Sequence, residues 1–235
     1  MLKNQLTIVL LTVFTMQFSV SYQDSKQPVK FDFVGMYRRN GFNTIDKSLL
    51  QEMSKELNQF YDGFRKAPAD DLLFIIRDDF GSTISAYAVA VDIFQKEFTK
   101  KNIPSVAKTL KLVAGLLKQI DQTLNKTITP LIGQTKRKGK PLVNKSNFVS
   151  VNKKLAIETI KRLKLPQEAP KLVSTVFVEI IQTTGRATNQ AIQSILDKTK
   201  VLGVLPAKYL PIQAVSQTLD VLLQKIADTL KMAKL

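Results

Sequence analysis

From Leu49 to the C-terminus, apolar residues return every three or four positions, and the strict alternation of a half-buried strand is almost absent. That pattern predicts an all-α fold of about six amphipathic helices. A first helix carries Leu49, Leu50, Met53, Leu57, Phe60, Tyr61 and Phe64, with Asp46 or Thr44 to cap it and Gly63 to Pro68 to stop it. A second carries Leu73, Ile76, Phe80, Ile84, Tyr87, Val91, Phe94 and Phe98. Its stripe keeps phase through Gly81, so one helix is expected from about Asp70 to Lys100. A third opens at Pro104, where a missing N–H does no harm, and should end before Pro130. A shorter helix around Leu155 to Leu163, a long one from about Glu168 to Lys200, and a last one from Ile212 to Leu230 complete the set.

The halves share landmarks. Ala67-Pro68 and Ala169-Pro170 each precede a long helix, Gly81 and Gly185 each interrupt one, and Ile103-Pro104 and Leu205-Pro206 each follow one. Pro68 to Pro104 and Pro170 to Pro206 both span 36 residues. The spacing suggests two related three-helix units, 22–128 and 153–235, joined by a basic loop at 129–152. The competing reading is that amphipathic helices resemble one another by composition.

The first 21 residues read as a secretory signal: Lys3, the apolar run Leu6 to Phe14, then Ser19-Val20-Ser21 before an expected cleavage ahead of Tyr22. The apolar run is too short to span a bilayer, which takes about 20 residues. Secretion fits the sequons at Asn125 and Asn144, the candidate glycosylation sites. The chain has 235 residues and no Cys, His or Trp. It must therefore fold by apolar burial without disulfides. The same absences remove imidazole and thiol catalysis and the usual zinc, copper, haem and iron–sulfur sites, so no catalytic residue, metal or cofactor is expected.

Charge is uneven. The chain holds 35 Lys and Arg against 19 Asp and Glu, net +16. Tyr22 to Asp121 carries 15 basic and 13 acidic residues, whereas Gln122 to Leu235 carries 19 and 6. Lys136, Arg137, Lys138, Lys140, Lys145, Lys153, Lys154, Lys161, Arg162 and Lys164 form the candidate anion-binding set. The Thr135 to Pro141 segment, punctuated by Gly and Pro, is expected to be a mobile, solvated loop. Three readings stay open for it: a soluble linker, a contact for polyanions or anionic lipid, and a processing site at the dibasic pair Lys136-Arg137. Nucleic acid is a poor partner, since no aromatics interleave the charges.

Asp70-Asp71 is expected to favour a helix N-terminus through its dipole, and Asp78-Asp79 to lie on a solvated face beside Arg77. Phe80, Ile84, Tyr87, Val91, Phe94 and Phe98 are core residues or, if the helices leave a gap, the lining of an apolar ligand cavity. The expected function is that of a secreted, non-enzymatic helical protein binding an apolar or amphipathic ligand or an anionic lipid surface. The alternative is a cationic effector or recognition protein of salivary, venom or reproductive type, binding a sulfated glycan, another polyanion or an acidic protein through the basic patch.

Overall fold

A computed structural model of the chain describes residues 27–233. The expected leader and its cleavage point lie outside the described residues. Among the described residues there are seven helices: α1 (Phe33–Arg39), α2 (Lys47–Lys66), α3 (Leu72–Phe74, Ile75–Phe80 and Gly81–Lys100), α4 (Pro104–Ile132), α5 (Lys145–Arg162), α6 (Glu168–Leu172, Val173–Phe177 and Val178–Thr199) and α7 (Leu210–Lys231). The middle segments of α3 and α6 have the wider π-helical turn. Two 3-10 turns, Ala69–Asp71 and Ala207–Tyr209, lead into α3 and α7.

Local chemistry explains the starts. Asp46 caps α2 by accepting from Ser48 N at 2.7 Å and Leu49 N at 3.2 Å, and Asp32 caps α1 through Gly35 N at 2.8 Å. Three boundaries differ from those the periodicity predicts. The pattern misses α1, which is only seven residues long. The third predicted helix runs through Pro130 to Ile132, because the lost hydrogen bond sits in the exposed last turn while the added residues bury Ile132. A helix-interior Pro costs about 3 kcal/mol, and burying Ile132 returns about 1.5–3 kcal/mol, so the two are of the same order. The fourth predicted helix begins ten residues early, at Lys145, since Asn144 caps Asn147 N and the stripe continues backwards through Val151 and Phe148, both buried.

Packing crosses the midpoint of the chain. The most extensive contacts join α3 to α4 and α5, and α6 to α7; α4 also packs on α7, and α2 lies against α6 and α5. The buried side chains form one contiguous core. Its centre holds a small polar ladder. Thr188 and Thr184 each donate to a carbonyl one turn back in α6, at 2.8 and 2.9 Å, so the hydroxyls of Tyr61 and Tyr87 must be the donors to Thr188 and Thr184, at 2.8 and 3.1 Å. Burial pushes both phenols above their ordinary range. No helix among the described residues is long and apolar enough to cross a membrane.

One end of the bundle gathers the C-terminal ends of α2 and α6 and the N-terminal entry to α3. Lys198 Nζ donates to the Arg65 carbonyl at 3.0 Å, and the Ala69–Asp71 turn packs on α6. The α4–α5 loop meets that turn at Asp70 and Asp71.

Candidate functional site

Two features stand apart from ordinary core: an apolar cavity between the helices and the basic loop. The cavity is partly open and has a volume of about 60 Å³. Its walls are Phe33 and Tyr37 of α1, Tyr87, Ala90, Val91 and Phe94 of α3, Val113 and Leu117 of α4, Asn152, Leu155 and Ala156 of α5, Phe177, Ile180 and Ile181 of α6, and Leu230 of α7. Six of the seven helices contribute. Phe94 meets Phe177 edge to face at 4.9 Å across it.

The few polar atoms in these walls are mostly committed elsewhere. Tyr87 donates to Thr184, and Asn152 Nδ2 donates to the Phe148 carbonyl at 2.9 Å. Burial pushes the Tyr37 phenol up to about 12, so it stays neutral and protonated. The site therefore offers dispersion and apolar burial with little hydrogen bonding, which selects a hydrocarbon-like ligand over a polar one. Its volume is well below the roughly 300–1,000 Å³ of an ordinary ligand pocket. Any lipid chain would have to part the helices further.

Of the predicted lining residues, Tyr87, Val91 and Phe94 face this cavity. Phe80, Ile84 and Phe98 do not; they are buried in the surrounding core. The sequence reading missed the contribution of α1. The signal for it was Asp32 ahead of Phe33, Met36 and Tyr37, an N-cap followed by three- and four-residue apolar spacing.

The basic loop departs from expectation most. Residues 133–144 are not held away from the fold but are clamped onto the Ala69–Asp71 turn and the start of α3. Asp71, 2 % exposed, accepts from Lys138 N and Gly139 N, both at 2.8 Å, one bond to each carboxylate oxygen. Asp79, also 2 % exposed, accepts from Arg137 Nη2 at 2.6 Å and from Leu142 N at 3.1 Å. Asp70 pairs with Lys138 Nζ at 2.8 Å. Gly139 permits the close approach, since a Cβ there would lie 2.7 Å from Asp71 Oδ2.

These contacts correct two expectations. Asp70-Asp71 and Asp79 are acceptors for the loop rather than caps or solvated charges, and the loop is a docked element. Each ion pair favours the ionised carboxylate, but burial reverses the net result at Asp79. The Lys138 hydrogen bond and charge hold Asp70 below the usual carboxylate range, while burial raises Asp79 despite Arg137.

The ten candidate anion-binding residues divide accordingly. Arg137 is mostly buried and ion-paired, Lys138 pairs with Asp70, and Arg162 pairs with Glu158 at 2.8 Å. Lys154 and Lys161 share a surface groove with Asp46, Glu52 and Glu158, so positive charge on that face of α5 is locally offset. Lys136, Lys140, Lys145, Lys153 and Lys164 are exposed. Both sequon asparagines are exposed too: Asn125 lies within α4 with Nδ2 on the Asp121 carbonyl, and Asn144 is the N-cap of α5. Among the described residues there is no group of three or more Asp, Glu, His or Cys placed to hold a metal ion.

A search of protein-family models finds none that matches this chain, and comparisons with curated proteins and with solved structures find no significant match.

Proposed function

We propose that this chain is a secreted, non-enzymatic helical protein that takes up an apolar or amphipathic molecule between its helices. The observation that carries the reading is the cavity walled by Tyr37, Tyr87, Phe94, Phe177 and their aliphatic neighbours at the meeting point of six helices. A core that needed only stability gains by closing such a void, because unfilled space forfeits dispersion contacts. The shortest helix, α1, forms one wall through Phe33 and Tyr37, and its displacement is the least costly way to enlarge the site.

The two long helices support a construction from related three-helix units. Each carries a π-helical stretch near its start, Ile75–Phe80 and Val173–Phe177, and each pairs with the helix that follows it. In this arrangement α2 lies on α6 and α5 on α3, so each unit packs on the long helix of the other, and both contribute walls to the cavity.

Native mass spectrometry of the gently purified protein tests the reading, together with titration of a fluorescent fatty-acid analogue. Retained apolar mass, or saturable probe uptake weakened by Ala90→Trp, which fills the cavity, supports it. A bare polypeptide that leaves the probe in water refutes it.

A further inference from the structure

We propose that the basic end of the bundle docks on anionic lipid bilayers by burying the tip of the α6–α7 hairpin. Val201 and Val204 exchange both backbone hydrogen bonds at 2.9 Å, closing a two-residue turn. Leu202 and Gly203 occupy it with φ of 50° and 81°. Asn-Gly is the pair such a turn favours, because both central residues sit in the left-handed region. Here a leucine takes the first position and projects into solvent, 99 % exposed, between Val201 and Val204 at 66 % and 69 %. Backbone preference and solvation both oppose that choice, which points to a use for the apolar tip.

The backbone suits an apolar surrounding. The peptide groups of Val201 and Val204 already satisfy each other, so entry into a bilayer interface strips few polar groups of water. The surrounding charge selects the lipid. Lys200 precedes the tip, and Lys208 follows it, lying over the Tyr209 ring at 4.7 Å and close enough to Asp70 to lower its carboxyl. Asp70 is the acid that holds Lys138, so the clamped loop with Lys136 and Lys140 stands on this same end. The exposed acids nearby, Asp70 and Asp197, pair with Lys138 and Lys200, which leaves Lys136, Lys140 and Lys208 to carry the positive charge of this end. An apolar tip framed by lysines whose stems can lie along the interface matches an anionic membrane surface.

A second copy of the chain is the poorer occupant. Three side chains fall far short of the roughly 1,200 Å² that a stable protein interface buries, and the flanking lysines of two copies would repel. This docking uses none of the cavity residues and stands independently of ligand uptake.

The chain contains no Trp, so Leu202→Trp introduces a single reporter at the tip. With phosphatidylcholine vesicles containing phosphatidylserine, its emission should shift to the blue, and high salt should reverse the shift. Pure phosphatidylcholine should leave it unchanged. In the otherwise unaltered full chain, Leu202→Asp should lower co-sedimentation with the anionic vesicles by about tenfold or more while the helical melting curve and fatty-acid probe uptake stay as in the parent. Undiminished sedimentation of Leu202→Asp, or a water-like Trp emission on vesicle-bound protein, overturns the proposal and leaves the cavity reading intact. A lipid-free dimer that Leu202→Asp disperses overturns it in favour of self-association.

Discussion

The clamp between the basic loop and α3 makes a quantitative prediction through the Asp79–Arg137 pair. Asp79 is buried, and the Arg137 side chain is 13 % exposed, with Nη2 shared between the carboxylate at 2.6 Å and the Lys140 carbonyl at 2.8 Å. Removing one partner of a buried pair strands the other charge, at a cost of about 3–5 kcal/mol. Arg137→Met should fall in that range, because Asp79 has no route to water. Asp79→Leu should cost nearer the lower end, since the guanidinium can turn outward through its exposed edge. For a chain of this size, about 2–4 °C per kcal/mol puts the loss for Arg137→Met at roughly 6–20 °C. The double variant Asp79→Leu/Arg137→Met should be less destabilised than Arg137→Met alone, since it buries no charge. Burial already raises the Asp79 carboxyl, and losing Arg137 raises it further. The ionised form is then the costly one, so Arg137→Met should regain stability relative to the parent as pH falls through that raised value. Asp79→Leu should not, because an arginine cannot shed its proton. Urea unfolding followed by far-ultraviolet circular dichroism at pH 7 and pH 5 measures all of this. Single losses that simply add in the double variant, or an Arg137→Met deficit that ignores pH, would refute the reasoning.

Two further outcomes follow from the geometry. Asp46 is held below the ordinary carboxylate range first by Ser48 and then by the Leu49 N–H, so its cap contributes stability above the unfolded-state value and loses it as pH falls through the depressed one. The melting-temperature gap between the parent and Asp46→Ala should therefore close as acid is added; a gap that widens would contradict the cap. Gly139→Ala should push the loop off Asp71 and make the 136–140 segment several-fold more sensitive to trypsin, with fragments identified by mass, whereas equal cleavage rates would mean that the loop is free in the parent.

Periodicity gave access to the long helices because each buries a broad stripe: Leu50, Met53, Leu57, Phe60 and Phe64 of α2 all lie in the core, as the three- and four-residue spacing requires. It failed where one interaction outweighed a local rule. Pro130 reads as a stop, yet α4 continues past it to the buried Ile132. Gly139 and the lysines around it read as a mobile linker, and the contacts that dock them come from acids about 60 residues earlier, which no local window relates. The cavity was half visible: Tyr87, Val91 and Phe94 share one face of a helix, but which part of the stripe meets a void depends on the other five helices that enclose it. The Val201–Val204 tip carried no periodic signal, because its significance lies in exposure.

The buried acids change what the positive charge at this end can do. A free loop of lysines would spread its charge over many positions and adapt to any polyanion, losing conformational entropy whenever it was ordered. Asp71 and Asp79 order the loop in advance. They spend the Arg137 charge inside the protein and hold Lys136 and Lys140 at fixed sites on the same end as the hairpin. The net charge of the segment falls, while the cost of presenting what remains has been met during folding. Fewer charges held in place beside a rigid apolar tip favour a flat, repetitive anionic surface over a flexible chain that must itself be ordered. Breaking Asp79–Arg137 should consequently weaken vesicle binding even though it frees a cation, whereas an unordered electrostatic patch would bind more strongly for the added charge.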